Sequence, residues 1–186
     1  MTKAFVFIDG SNFYFKLKEL SSTLKGKFQL LNFDFAGFAR FLTKPQTVEQ
    51  IRYYVGALKQ QKGNEKSEKM YADQQKLLAK LQVQNITTVL GQLLQHPDKS
   101  YHEKGVDVRL AVEMIRFARE DAYDIAYLLS SDTDLVAAVE EVQSFKKKVV
   151  YVGIAKGQSF GLTKASDDTI LVRSEDIQAF LPPSLL

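Results

Sequence analysis

Short apolar runs alternate along the chain with longer segments that repeat apolar residues at helical spacing. Most of the short runs are continuously apolar, which is typical of strands that are covered on both faces of a parallel sheet. The pattern predicts six strands: Ala4–Ile8, Ile51–Leu58, Ile86–Leu90, Ile125–Leu129, Val149–Val152 and Ile170–Val172. The alternation therefore predicts an α/β fold with a three-layer, doubly wound and mainly parallel sheet.

Helical periodicity marks the segments between these strands. Three helices are predicted from their position in this alternation: one after Asn12, one over Phe33–Leu42 and one over Val106–Glu120. Two more are predicted from apolar stripes, the first formed by Met70, Leu77, Leu78 and Leu81 and the second by Leu135, Ala138, Val139 and Val142.

Two polar segments interrupt the alternation and are predicted as loops. The first, Lys59–Ser67, follows a strand, and the second, Gln95–Lys104, contains Pro97 and both histidines, His96 and His102. Neither an internal repeat nor a linker is visible. The sequence therefore predicts a single domain over residues 1–186, whose motifs span about residues 4–172.

Composition excludes several kinds of chemistry. The chain has no cysteine, which excludes disulfides, thiolate catalysis and cysteine-held metals, and its two histidines favour surface positions over a metal site. A net charge of +3 permits a polyanionic partner. No signal peptide precedes Asp9 and no apolar run is long enough to span a bilayer, so a cytoplasmic location without membrane contact is expected.

Several carboxylates fall where an open α/β sheet binds its ligands, beyond the carboxyl ends of the strands. Asp9 ends the first predicted strand, and Asp132 and Asp134 follow the strand that ends at Leu129. On a helical wheel Asp107 lies within the apolar stripe of the Val106–Glu120 helix, where a lone carboxylate is expensive to bury. We therefore expect Asp107 to be functional.

The far side of the same helix is predicted to be solvated. Glu113 lies there with Arg109, Arg116 and Glu120, at spacings that suit ordinary surface ion pairs. Glu113 is accordingly predicted to be a surface salt-bridge residue.

Each carboxylate also has a structural interpretation. Asp132 would cap the following helix, while Asp134 and Asp107 would complement helix dipoles in first turns. Asp9 before Gly10 would be a turn residue. Taken together, several acids at one sheet edge favour a functional interpretation over a structural one. Carboxylate oxygens without histidine or cysteine suit the hard cations Mg²⁺ and Mn²⁺.

Three motifs in chain order resemble the NYN family of PIN-like ribonucleases, which includes the LabA-like proteins once called domain of unknown function 88. The matching segments are Phe7–Asn12, Lys104–Val108 and Leu129–Leu135, and the strand Lys148–Gly153 is also similar. The resemblance covers about residues 4–172. It implies a PIN-like, Rossmann-like fold and an acidic metal site that hydrolyses RNA to a 5′-phosphate product.

Carried onto this chain, the resemblance implies that Asp9, Asp107, Asp132 and Asp134 are catalytic and hold Mg²⁺ or Mn²⁺. It implies that Ser11, Asn12 and Thr133 position the substrate. Two residues depart from the family pattern. Ser131 stands where glycine is usual and would narrow the site, and Glu113 replaces a common aspartate.

The leading hypothesis is a metal-dependent ribonuclease acting on single-stranded or tRNA-like RNA. A non-catalytic RNA-binding or regulatory adaptor is the first alternative, and a phosphatase for small substrates is the second. RNA would also contact Lys59, Lys62, Lys66 and Lys69, and an exposed ring among Phe13, Tyr14 and Phe15 would stack a base. A homo-oligomer is a further partner that the sequence allows.

Overall fold

A computed structural model of the protein describes residues 2–21, 30–95, 101–155 and 157–182. Its strands are β1 (Lys3–Asp9), β2 (Thr47–Gly56), β3 (Thr87–Gln95), β4 (Tyr101–Lys104), β5 (Ile125–Leu129), β6 (Lys148–Ile154) and β7 (Asp168–Val172). Its helices are α1 (Gly10–Ser21), α2 (Phe35–Thr43), α3 (Glu65–Val83), α4 (Val106–Arg119), α5 (Val136–Ser144), α6 (Phe160–Ala165) and α7 (Ser174–Gln178). Short 3₁₀ turns cover Leu30–Asn32 and Thr133–Leu135.

The strands form one sheet in the order β4-β3-β2-β1-β5-β6-β7. All the pairings are parallel except that of β4, which runs antiparallel to β3. The chain winds from β1 towards β3 on one side and returns to β5 on the other, so the strand order reverses between β1 and β5. This reversal is the topological switch point, where ligands bind in open α/β sheets.

Both faces of the central strand β1 are buried. Ala4, Val6 and Ile8 face one core, which is closed by α1, α2, α3 and α7. Phe5 and Phe7 face the second core, which is closed by α4, α5 and α6. Burial on both faces explains why the strand is apolar without alternation, and it confirms the predicted three-layer α/β fold.

The six predicted strands are confirmed, with β5 matching its predicted bounds and the others differing by a few residues. The predicted loop over Gln95–Lys104 is wrong at both ends. β3 continues to Gln95, and β4 pairs antiparallel with it from Tyr101 to Lys104. This pair of strands extends beyond Gly56, where β2 ends. His102 belongs to β4, and His96 lies outside the described residues.

Helix α3 differs from its predicted stripe. Leu81 is fully buried and Leu77 packs against the first core, but Met70 is 48% exposed. The buried residue one turn after Met70 is Gln74, whose side chain donates to the Gly56 carbonyl at 2.7 Å and accepts from the Leu58 N–H at 2.8 Å. Gln74 therefore provides hydrogen-bond partners for the backbone groups at the end of β2. In the described ranges, no helix combines the length and apolar character that a membrane crossing requires.

The polar segment Lys59–Ser67 is only in part a loop. The side chain of Asn64 accepts from the Ser67 N–H at 3.1 Å, so α3 begins at Glu65, within the predicted loop.

The two acids of α4 lie opposite to their predicted environments. Asp107 is exposed, whereas Glu113 is 6% exposed and lies in the second core. Asp107 occupies the first turn of the helix, at the carboxyl edge of the sheet, whereas Leu110, Met114 and Ala118 further along the same side of the helix are buried. The prediction that Asp107 is buried among apolar residues is therefore wrong, as is the prediction of a solvated Glu113.

Glu113 is held by groups that β2 contributes. Arg52 donates through Nε at 3.1 Å and Nη2 at 2.8 Å to Glu113 Oε2, and the Tyr54 hydroxyl donates to the same oxygen at 2.8 Å. Burial by itself raises the pKa of Glu113, but the hydrogen bonds from Tyr54 and Arg52 and the charges of Arg52 and Arg116 outweigh it. The pKa of this carboxyl is therefore lower than usual, and the ion pair fixes α4 to β2.

We predict that Glu113→Gln destabilises the protein at neutral pH by about 3 kcal/mol, because it leaves the guanidinium of Arg52 without its counter-charge. A carboxyl whose pKa is depressed by folding contributes stability above its unfolded pKa and loses it as pH falls through the folded value. The difference between wild type and variant should therefore disappear in acid. Urea unfolding at several pH values measures it.

The matched control is Glu120→Gln on the same helix. The Glu120 side chain is 50% exposed and 4.0 Å from Arg116, so its loss should change stability by less than about 0.5 kcal/mol. Equal effects of the two variants would show that the buried pair does not hold α4.

Candidate active site

The site is built where the neighbouring strands β1 and β5 end. Ile8 pairs with Leu129 in the sheet, so Asp9 and Ser130 follow at the same level of the carboxyl edge. Gly10 begins α1 directly after Asp9, without an intervening loop. A Cβ at Gly10 would collide with the Tyr53 ring and lie 2.7 Å from the Tyr54 carbonyl oxygen. Glycine therefore allows α1 to begin against β2.

The carboxylate of Asp9 joins α1 to the end of β5. Its Oδ1 accepts from the Asn12 N–H at 3.0 Å, as an N-cap residue does. Its Oδ2 accepts from the Ser130 hydroxyl at 3.0 Å. The Ser130 oxygen in turn accepts from the Asp132 N–H at 3.2 Å. The Ser130 side chain therefore connects Asp9 to the turn that follows β5.

Asn12 and Ser131 form a second connection across the same edge. The side-chain oxygen Oδ1 of Asn12 accepts from the Ser131 N–H at 3.1 Å and from the Ser131 hydroxyl at 3.2 Å. A glycine at position 131 would leave the first of these bonds and remove the second. The serine therefore restrains the Asn12 amide in addition to occupying space at the edge.

Asp132 and Asp134 have the structural roles that their positions suggested. Asp132 Oδ1 accepts from the Asp134 N–H at 3.0 Å and caps the 3₁₀ turn that leads into α5. Asp134 is exposed in the first turn, and so is Thr133, whose methyl group faces Gly161 of α6. Capping uses one oxygen of Asp132 and leaves its second oxygen available to a ligand.

Asp107 approaches from the opposite layer, at the start of α4. Gly105 precedes this helix with a φ of +78°, a left-handed conformation that glycine adopts without strain. This turn brings the chain from β4 into α4 at the carboxyl edge.

The charges of these acids act on Asp9. Burial is the largest influence on the pKa of Asp9 and raises it, while the hydrogen bonds from Asn12 and Ser130 lower it. The negative charges of Asp132 and Asp107 raise it further, and the net pKa of Asp9 is above its usual value. Asp107 and Asp132 therefore both lie close enough to Asp9 for their charges to act on it.

Comparison with known proteins identifies the architecture. The family model described as NYN domain matches residues 3–174 of the chain. The chain belongs to the NYN domain family. NYN domains are PIN-like nucleases, which accords with the three motifs, the parallel sheet and the acids at its switch point.

Solved structures agree with the NYN fold. A crystal structure of a protein of unknown function from Vibrio parahaemolyticus is similar with a TM-score of 0.67 and 21% identity, covering 97% of this chain and 96% of that chain. A PLP-bound C-S lyase from Staphylococcus hominis matches with a TM-score of only 0.29 and 10% identity, covering 85% of this chain and 40% of that one, and carries no argument. No curated protein matches the chain.

The donor set of this NYN domain suits a hard divalent cation. Every candidate ligand is a carboxylate oxygen. Burial is the main cause of the raised pKa of Asp9, and the smaller contribution from the charges of Asp132 and Asp107 is a repulsion that a bound cation would relieve. In the part of the chain that the structure describes, however, no three histidine, aspartate or glutamate side chains converge closely enough to hold an ion together. The chemistry of these donors therefore fits a metal, although the described side chains do not converge on one point.

Basic and aromatic residues also follow the carboxyl ends of β1 and β2. Lys59, Lys62, Lys66 and Lys69 are all exposed, and the first two follow β2 at the same edge as Asp9. Sequence reasoning could not decide which ring after Asp9 is exposed. Phe13 is buried in the first core, whereas Tyr14 is 38% and Phe15 66% exposed.

Ser130 is the residue of this site that sequence reasoning missed. It is 4% exposed, and its hydroxyl joins the carboxylate of Asp9 to the backbone of Asp132. A hydroxyl directly after an apolar strand, before a run of acids, was the available signal.

We predict that Asp132→Ala lowers the free energy of unfolding by about 1 kcal/mol, because it removes the cap of the turn before α5. Asp132→Asn keeps an oxygen acceptor for the Asp134 N–H and should retain nearly all of the wild-type stability. Thermal unfolding in the presence of chelator compares the three proteins. If the asparagine variant is destabilised as much as the alanine variant, the negative charge and not the acceptor stabilises the turn.

Proposed function

We propose that this NYN domain is a metal-dependent ribonuclease that hydrolyses phosphodiester bonds of RNA. The observation that carries the proposal is the junction at the switch point, where Asp9 is held between α1 and β5 and feels the charges of Asp132 and Asp107. Helix capping alone does not require that the charges of Asp132 and Asp107 lie close to the buried carboxylate of Asp9.

In this proposal Asp9, Asp107 and Asp132 hold Mg²⁺ or Mn²⁺, and the exposed Asp134 joins them directly or through water. The bound ion supplies a Lewis acid that activates water and neutralises charge on the phosphate. Water adds to phosphorus and the bond to the 3′ oxygen breaks, which leaves a 5′-phosphate and a 3′-hydroxyl.

The remaining residues of the edge position the reactants. Ser130 keeps Asp9 oriented. Ser131 binds the side-chain oxygen Oδ1 of Asn12, which leaves the side-chain nitrogen Nδ2 to donate to a phosphate oxygen. Ser11 on α1 and Thr133, between Asp132 and Asp134, contact the substrate backbone in this proposal.

A non-catalytic RNA-binding adaptor is the second candidate. Two observations favour it: the described acids do not converge into a group of three, and Ser131 restrains Asn12 where the family usually has glycine. Metal binding and RNA cleavage distinguish the two functions.

We expect the purified protein to cleave labelled single-stranded RNA in Mn²⁺, and Asp9→Asn and Asp132→Asn to reduce the rate at least about a hundredfold. Asp73→Asn is the matched control, because Asp73 is an exposed acid of α3 that pairs with Lys76 on the helix surface. This variant should cleave like wild type. Cleavage that survives both site variants would contradict the proposal.

Metal binding is measured independently by thermal unfolding. An ion that binds only the folded protein stabilises it by about 2.7 kcal/mol at a hundred times its dissociation constant. Wild type and Asp73→Asn should show this Mn²⁺-dependent increase, and Asp132→Asn should show much less. The absence of any Mn²⁺ response in wild type, together with RNA binding, would favour the adaptor.

We predict that the Lys59–Lys69 segment contributes to RNA affinity without affecting chemistry. Changing Lys59, Lys62, Lys66 and Lys69 to glutamine should weaken binding and flatten its salt dependence. For each phosphate of a single strand that the variant no longer neutralises, the slope of log K against log salt should fall by about 0.7. Titrations at several salt concentrations measure the slope, and an unchanged slope would assign these lysines to a solvated surface.

A further inference from the structure

An exposed aromatic ring on α6 lies close to the acid site. Phe160 is 80% exposed, the highest value among the aromatic side chains of the described residues. It is the first residue of α6, which follows β6 at the same edge of the sheet as Asp9. Its ring therefore offers an accessible face on which a base could stack.

The backbone beneath this ring is well anchored. Ser159 is buried, its N–H donates to the Tyr151 hydroxyl at 2.9 Å, and its own hydroxyl accepts from the Leu162 N–H at 3.3 Å. Leu162 is completely buried in the second core. Phe160 therefore projects from a fixed position between two buried residues.

Contacts connect this position to the acids on one side. A Cβ at Gly161 would lie 3.1 Å from the methyl carbon of Thr133, between Asp132 and Asp134. The helix that carries Phe160 thus packs directly on the turn that carries the two aspartates.

Contacts on the other side connect it to α1. A Cβ at Gly157 would collide with the ammonium nitrogen of Lys16. Lys16 lines a shallow depression together with Asn12 and Ser131, and its ammonium group lies 3.9 Å from Glu19. Phe15, the residue before Lys16 on α1, is also strongly exposed, and its ring centroid lies 5.4 Å from that of Tyr14.

We propose that Phe160 and Phe15 are stacking platforms for two bases of a single-stranded RNA, and that Lys16 contacts the phosphate backbone between them. The proposal rests on the ribonuclease function above and specifies its substrate, because only unpaired bases offer a free face to a protein ring. A surface that combines a cation with exposed rings suits a nucleic acid strand as its partner better than it suits an apolar protein.

Binding in the presence of chelator tests the proposal without requiring cleavage. Fluorescence anisotropy with a labelled single-stranded RNA should show Phe160→Ala weakening binding about five- to a hundredfold, the effect of losing one stacked base. Phe160→Tyr should bind like wild type, and Phe160→Leu, which keeps the apolar bulk but has no ring face, should be weakened like alanine. An equal affinity of wild type and Phe160→Ala would overturn the proposal.

Phe41→Ala is the matched control. Phe41 is a 46% exposed phenylalanine near the end of α2, which leads into the start of β2 at the opposite edge of the sheet. It should leave RNA affinity unchanged. A loss equal to that of Phe160→Ala would mean that exposed rings bind RNA without a defined site, and would overturn the proposal.

Two further measurements separate stacking from charge. An RNA that carries 2-aminopurine should lose fluorescence on binding wild type, and much less on binding Phe160→Ala. Lys16→Gln should lower the salt slope by about 0.7, whereas Phe160→Ala should leave the slope unchanged. Fluorescence that behaves identically in wild type and Phe160→Ala would overturn stacking on this ring.

The outcome is separable from that of the ribonuclease proposal. Phe160-dependent binding by a protein that never cleaves RNA would support this inference and contradict the catalytic function. Cleavage by wild type together with unchanged affinity in Phe160→Ala would do the reverse.

Discussion

The carboxylate of Asp9 is the group on which the functional edge of this protein depends. It lies at the end of a strand whose two faces are both buried, and it accepts one hydrogen bond from α1 and one from the residue after β5. A side chain without these two acceptors would lose both bonds and would no longer orient Ser130, whose oxygen accepts from the Asp132 N–H. The stability of the switch point and the geometry of the candidate metal site therefore rest on the same two oxygens.

This sharing has an electrostatic consequence. Burial and the charges of Asp132 and Asp107 disfavour ionised Asp9, whereas its two hydrogen bonds favour it. A carboxyl whose pKa is raised by folding destabilises the folded state as pH rises from the unfolded value through the folded one. The protein thus keeps an unfavourable charge arrangement at neutral pH. A cation at this edge would remove the repulsion, and its binding would therefore raise the free energy of unfolding.

The fold could be predicted almost entirely from the sequence, because strands covered on both faces produce continuous apolar runs that mark themselves. The environments of Asp107 and Glu113 could not. The helical wheel places Asp107 within the apolar stripe of α4 and Glu113 on its far side, but a wheel does not tell which part of a helix the neighbouring layers cover. Asp107 lies in the first turn at the sheet edge, whereas Glu113 meets Arg52 on β2. The neglected signal was Arg52 itself, a cation inside an otherwise apolar strand that needs a buried acid as its partner.

The identities of the site acids were easier to predict than their arrangement, for a physical reason. Strand ends fix where Asp9 and Asp132 emerge, so parallel pairing alone brings them to one edge. The distance between carboxylate oxygens depends instead on side-chain rotation, on capping bonds and on neighbours such as Ser131, which do not follow from any periodicity. Ser131 illustrates the difference. A single hydroxyl that binds Asn12 leaves the fold unchanged and yet alters which polar atoms at the edge remain available to a phosphate. The choice between the proposed nuclease and the adaptor therefore depends on these short-range contacts at the switch point more than on the sheet that presents them.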